Sequence, residues 1–379
     1  MPIKPLAVAP RSVTAGATCK TNLHMPRILL ALLLLLPPLA GWAGNPERTG
    51  QAGATQLLIN PYARSSSING AHAAYVGGID AIMTNVAGLA RMKSTELAFS
   101  HTIWLQGSSI RINNLGFGQA IGNAGTIGLS VMAFDFGEIE RTTIDNPDGG
   151  IGTFSPTFLN LGLSFSREMV EDNIWIGATA KLVHESVPDA AANGLSFDAG
   201  VQFQDNSDRI HIGVSLRNIG PQMRYAGDGL IQRTQLGGNR SDFDNQVSIQ
   251  AQQFELPTIL QLALSYDFFL AVGTADSTAE RGSLRITPSF MFESQAYGRD
   301  QSIFGLEVAY KDLFAIRASQ YYEENIFDEE DAEDAFTGLA LGASVFIPVG
   351  GNTAFGFDYS YRHTRWFTGT HVFGIRMTL

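Results

Sequence analysis

Ser100, His101 and His211 are the residues most able to supply a nucleophile and a base, and all three fall within segments that alternate apolar and polar side chains. The signatures that normally accompany such chemistry are missing. The chain has no G-x-S-x-G elbow, no H-E-x-x-H pair and no phosphate loop, and Gly116-Phe117-Gly118 runs on to Ile121 where a dinucleotide loop needs glycine. We therefore read the three as polar groups of a lumen or an interface, expect no enzymatic activity, and expect neither cofactor nor metal.

A second candidate is acidic. From Glu323 to Asp334 eight carboxylates fall within twelve residues, including Asp328, Glu329, Glu330, Asp331, Glu333 and Asp334. Such a run would suit calcium or a basic partner, but the D-x-D-x-D-G spacing of a calcium loop is not there, so we expect a solvated external loop able to meet a partner. A third set is balanced in sign. Arg217, Arg285, Arg317, Arg362 and Arg376 alternate into register with Asp198, Asp267, Glu293, Glu307 and Asp358, as paired charges on one interior face would.

Composition narrows what could carry these groups. Only 16% of residues are charged, Gly reaches 40 and Phe 24, yet mean hydropathy sits near zero. Soluble domains carry about a quarter charged residues; here charge is avoided without long apolar runs, which suits strands with one face in lipid. The one continuous apolar run, Ile28 to Leu36 before Pro37 and Pro38, is far shorter than the roughly 20 residues of a spanning helix. With Arg27 before it and Gly41 and Ala43 after, it reads as a signal peptide over residues 1–43, with Met1 or Met25 as the start. Cys19 lies upstream of the run, so the mature chain would hold no thiol. Residues 1–43 carry four positive charges and no acid, so their removal takes the net charge from −11 to −15. A chain that acidic disfavours nucleic acid as a partner.

After residue 94 the period-2 pattern dominates. Leu195, Phe197, Ala199, Val201 and Phe203 alternate with Ser196, Asp198, Gly200, Gln202 and Gln204, and Phe355, Phe357, Tyr359 and Tyr361 with Gly356, Asp358, Ser360 and Arg362. About fourteen such segments run from Thr95 to Leu379, each roughly 9 to 12 residues, the length a tilted strand needs to cross a bilayer. Most even-numbered connections are short, such as Lys311-Asp312, while Gly137 to Pro156, Asn218 to Glu255 and Tyr322 to Ala335 are long; Gln106 to Ser108 and Leu270 to Gly282 break the rule. Residues 95–379 thus predict an all-β transmembrane antiparallel barrel in the outer membrane, with lipid as its first partner. Trp175 and Trp366 are expected to anchor at the membrane interfaces.

Residues 44–94 have different chemistry. Ile79, Ile82, Met83, Val86 and Leu89 share a helical face too short to bury itself, and fourteen strands enclose more space than side chains alone fill, so this segment is expected to plug the lumen. Its residues also carry a resemblance. Gly53 to Ser65, with Asn60, Pro61 and Arg64, then Asn85-Val86-Ala87-Gly88-Leu89-Ala90, then Phe99-Ser100-His101 with Trp104, resemble the opening of the PorV/PorQ family, with Val86 where that family usually has Pro. The resemblance covers about the first 60 mature residues. It implies a FadL-like barrel, a plug seated by Asn60, Pro61, Arg64, Asn85, Gly88 and Leu89, and a role in type IX secretion, in which the loops engage secreted cargo bearing C-terminal signal domains or a larger translocon. Transport of hydrophobic small molecules in the manner of FadL is the alternative.

Overall fold

The structure is a computed structural model that describes residues 48–234, 245–270, 283–328, 332, 334–351 and 353–379. Fourteen antiparallel strands close into one ring: β1 (Thr95–Trp104), β2 (Ile110–Ala120), β3 (Thr126–Asp135), β4 (Thr157–Val170), β5 (Ile174–Val187), β6 (Ala190–Gln204), β7 (Ile210–Ile219), β8 (Ile259–Tyr266), β9 (Leu284–Gln295), β10 (Gln301–Tyr310), β11 (Phe314–Tyr322), β12 (Phe336–Gly350), β13 (Thr353–Thr364) and β14 (Thr370–Thr378). Beyond Asp267, Phe268–Leu270 continues β8 along β9. Each strand pairs with its neighbours in sequence, and the ring shuts where β1 meets β14, from Glu96 opposite Thr378 to Ile103 opposite His371. No sheet edge is left in this ring, which is what a strand wall in hydrocarbon requires.

The alternation resolves into apolar outside and polar inside. Phe99, Leu129, Leu163, Phe197, Leu262, Ile316 and Phe373 are exposed on the outer surface, while Ser100, Ser130, Ser164, Ser196, Gln202, Ser215 and Ser360 are buried on the lumen side. Water would not tolerate a continuous belt of that kind; lipid does. The wall is therefore a transmembrane barrel.

One end of the barrel carries short turns and the other carries the long loops. At the turn end, Lys311 and Asp312 both take positive φ, 51° and 53°, the geometry of a two-residue hairpin turn, and the amide of Leu313 donates to the Tyr310 carbonyl at 3.0 Å. At the loop end, two of the long connections form small hairpins of their own, Ile139–Glu140 with Thr153–Phe154 and Ile231–Thr234 with Asn245–Ser248. The connection between β5 and β6 departs from the expected boundaries: β6 begins at Ala190 rather than Leu195, so a two-residue turn stands where a longer loop was expected. Ala190-Ala191-Ala192-Asn193-Gly194 is too small and too uniform to alternate, yet it pairs along β5 up to Val187.

Residues 52–92 thread the lumen. Ala52 bridges to Glu255 at the loop end, and the chain then passes down to Thr95 at the turn end, where β1 begins. It uses five short helical turns, Thr55–Leu58, Ala63–Ser66, Ala71–Ala74, Ile79–Met83 and Val86–Arg91. The single helical face expected for Ile79 to Leu89 is broken at Asn85, which is extended (φ −135°, ψ 103°) between the last two turns. All five apolar residues of that face are still buried.

Candidate functional site

The plug and its seat gather the candidate residues into one constellation. Asn60 begins it: the side-chain oxygen accepts from the Tyr62 amide at 3.1 Å, and the side-chain nitrogen donates to Thr84 Oγ1 at 3.1 Å and to the Met83 carbonyl at 3.3 Å. Pro61 is buried directly behind this turn. Arg64 then ties the first half of the plug to the second, donating to Asp80 at 2.8 Å and to the Gly77 carbonyl. Asp80 is 1% exposed, so this pair neutralises a carboxylate that would otherwise be stranded away from water.

Asn85 joins plug to wall. Its oxygen accepts from the Ala87 amide at 3.2 Å, capping the last helical turn, and its nitrogen donates to Ala73 O at 3.1 Å within the plug and to Val201 O at 3.0 Å on β6. Gln202 reaches in from the same strand, donating to Ala73 O and Val76 O at 3.0 Å each, and Ser166 on β4 donates to Ala87 O at 2.8 Å.

This approach requires glycine in the wall. A Cβ on Gly200 would collide with the Asn85 carboxamide, and one on Gly213 would sit 2.5 Å from Ala73 O. Gly177, directly opposite Gly200 in the ladder, has Val86 O against it in the same way. Gly116, Gly305 and Gly342 repeat the arrangement under Tyr62, Ile68 and Ser67 around the rest of the ring. Within the plug, a Cβ on Gly88 would strike the Val76 carbonyl, and Leu89, 0% exposed, packs with Tyr62, Val76, Ile79 and Ile82. The six plug residues singled out in the sequence are thus brought into one packed body.

The two ends of the lumen differ. Toward the loops, Ile68 and Ala71 pack with Ile303, Tyr321, Ile326 and Phe336, and Leu57 packs with Val183, Met223 and Leu256. Toward the turns lies a cavity of about 540 Å³ lined by both charge signs. Here Glu307 accepts from Arg317 at 2.5 Å and Arg285 at 3.1 Å, and Asp267 meets His211 at 3.2 Å; nearby, Asp358 accepts from Arg376 at 2.8 Å. Glu96 accepts from the plug amide of Ile79 at 2.9 Å. His72 shares a hydrogen bond of 3.1 Å with Ser65, and burial, with Arg64 and Arg317 nearby, lowers its pKa to about 3, so its imidazole is neutral.

Other candidates fall differently. Ser100 faces the lumen, whereas His101 is on the opposite face of β1 with Asn113 at 2.8 Å, and His211 lies on β7, so the three do not assemble. Among the described residues no three His, Cys, Asp or Glu side chains are placed to hold a metal. Asp198 pairs with Lys181 at 2.5 Å, Glu293 accepts from Gln261 at 2.7 Å, and Arg362 stacks over Phe336 at 3.9 Å. Trp175 is not at an interface: it is 6% exposed on the lumen side of β5 with the Arg91 guanidinium 4.7 Å above its ring. Trp366 is exposed between β13 and β14.

In the acidic run, Asp328 is exposed, while Glu329, Glu330, Asp331 and Glu333 lie outside the described residues. Asp334 accepts from Tyr321 Oη at 3.0 Å and from the Phe336 amide at 3.2 Å. With Ile326 1% exposed, this stretch is anchored in the barrel mouth. The seating residues that sequence reasoning missed are the wall glycines and Gln202; their signal was a small or polar residue at lumen parity, which many positions share.

No family model matches the chain, and no curated protein matches it. Among solved structures it is similar to a TodX monoaromatic hydrocarbon channel deltaS2 mutant, at 11% identity and a TM-score of 0.47 over 84% of this chain and 97% of that one. It is also similar to Omp33 of Acinetobacter baumannii, at 9% identity and 0.35 over 75% and 96%, and to the KdgM porin, at 8% identity and 0.31 over 75% and 99%.

Proposed function

We propose that the chain is an outer-membrane protein, exported by residues 1–43, that serves type IX secretion in the manner of PorV or PorQ and binds secreted cargo with C-terminal signal domains, or a larger translocon, at its loop end. The observation that carries this reading is the seating of the plug: Asn85 and its neighbours press on glycines that leave no space for a Cβ, so the lumen is built around a fixed insert. On the plug side the seat uses Asn85 and Gly88, residues within the stretch on which the family resemblance rests. A protein of this form works through its rim.

The alternative, passage of hydrophobic small molecules, needs an open apolar route, whereas the apolar lumen residues toward the loops, such as Ile303, Tyr321 and Phe336, are packed against the plug and the cavity toward the turns is lined by charge. Two measurements separate them. Deletion of the gene should stop release of cargo bearing type IX signal domains, and the purified barrel in a planar bilayer should stay closed. Unchanged cargo secretion after deletion would sink the proposal, and uptake of a hydrophobic solute lost on deletion would favour the alternative.

A further inference from the structure

Beneath the start of the plug, side chains from three successive strands converge on one nitrogen. Lys181 on β5, Asp198 on β6 and Asn218 on β7 are 3%, 4% and 0% exposed. Lys181 Nζ stands 2.5 Å from Asp198 Oδ2 and donates to Asn218 Oδ1 at 3.0 Å. A β-bulge brings the third member in. Phe197 faces Ile219 and Ala199 faces Leu216, so Asp198 alone stands opposite both Arg217 and Asn218, and both of these are buried. Asn218 takes a φ of 60°, which asparagine tolerates better than most residues, and Asp198 Oδ1 accepts from its amide at 2.8 Å.

The carboxamide of Asn218 is held one way round. Its Nδ2 donates to the carbonyls of Pro257 at 3.2 Å and Leu57 at 3.4 Å, which leaves Oδ1 toward the amine. Leu57 and Leu256 belong to a buried apolar cluster with Val183, Ala192 and Met223, so the three groups meet away from water. There a carboxylate and an ammonium can shed both charges by passing one proton from nitrogen to oxygen. The product is a free amine, a good nucleophile, held against a carboxamide with an acid beside it.

From this geometry we infer that Lys181 and Asn218 join in an intramolecular isopeptide bond, with Asp198 as the acid and base of the reaction. Asp198 takes a proton from Nζ, and the amine attacks Asn218 Cγ to form the new C–N bond. The acid then gives its proton to Nδ2, the Cγ–Nδ2 bond breaks, and ammonia leaves. Asp198 removes a second proton from Nζ, so that an amide and a protonated carboxyl remain. No oxidant and no cofactor enter. The bond runs from β5 to β7 across β6, beside Leu57, and staples the wall around the first turn of the plug. It stands whether the barrel serves secretion or transport.

The test is peptide mass spectrometry of the full chain, purified folded from outer membranes, then denatured and digested with trypsin. A branched peptide containing both Lys181 and Asn218, lighter than its two arms by one ammonia, is expected in place of the separate peptides, with no cleavage after Lys181. Lys181→Arg and Asn218→Ala should abolish it. Asp198→Asn should slow linkage on the order of a hundredfold or more, read as linked fraction against time after folding into detergent. Separate peptides of full mass from the folded wild type would overturn the assignment, because an ordinary ion pair leaves the mass unchanged. Loss of water between Lys181 and Asp198 instead, or undiminished linkage in Asp198→Asn, would overturn it too. The wild-type mass decides the matter by itself, so the result does not depend on how well the variants fold.

Discussion

The two ends of the lumen are built from opposite chemistry. At the loop end Ile68, Tyr321, Ile326 and Phe336 meet as a dry apolar seal, whereas at the turn end Arg64, Arg285, Glu307 and Arg317 surround open space. One chain segment serves both: toward the loops it is held by packing, and toward the turns its own apolar cluster of Val76, Ile79, Ile82 and Leu89 is joined by ion pairs and hydrogen bonds. Packing needs no particular partner atom but admits no void. Charge pairs tolerate a cavity but must be matched one by one. Among the described residues the plug is therefore tightly packed toward the loops and borders open space toward the turns.

Substitutions can break this contrast, and the largest effect is expected at the apolar seal. Ile326→Ala removes a side chain that is 1% exposed and should cost about 2–5 kcal/mol, read as a lower unfolding midpoint in detergent and faster protease cleavage between Tyr322 and Ala335. Next comes the seat itself. Gly200→Val sets two methyl groups against Asn85 and should cost about 1–3 kcal/mol or raise bilayer conductance by unseating the plug; a stable, closed Gly200→Val barrel would mean that the seat is looser than drawn. Asn85→Ala should cost about 1–2 kcal/mol by the same midpoint assay, because Gln202 still donates to Ala73 O while Val201 O loses its donor from the plug.

Acid sharpens the comparison by a different route, with an effect that grows as pH falls. His72 titrates near 6.5 when unfolded and at about 3 in the plug, so the unfolded chain takes up a proton that the folded plug refuses. Its contribution is fully present above pH 6.5 and is lost as pH falls toward 3. Unfolding midpoints at pH 7.5 and 4.5 should differ more in the wild type than in His72→Gln, and equal differences would remove His72 from the account.

The wall was readable in the residues because lipid and lumen select opposite side chains at successive positions. Leu195 to Gln204 shows this without interruption, and the strand lies there. Where the alternation is masked, the reading fails. Ile174-Trp175-Ile176 is apolar at three consecutive positions, so parity could not tell that Trp175 points inward beneath Arg91. Residues 190–194 are small throughout, so the start of β6 looked like loop. The plug was harder still. Its turns are four to six residues long and take their shape from atoms far off in the chain: Asn85 answers to Val201, and Gln56 to Glu185, 129 residues away. Asn60, Arg64 and Gly88 stood out by motif, but the glycines that receive the plug are ordinary members of a polar face until the insert is in place.

The seam between β1 and β14 carries a consequence for how the molecule is made. Glu96 cannot meet Thr378 until the last strand has been made, so the ring shuts long after residues 52–92 have been synthesised. Once shut, the insert is held at Thr95 by the first stave and at Ala52 by a bridge to Glu255. The leading segment therefore waits as a passenger while thirteen strand-to-strand junctions are laid down after it, and its seat on β4 to β7 exists only once those strands are in place.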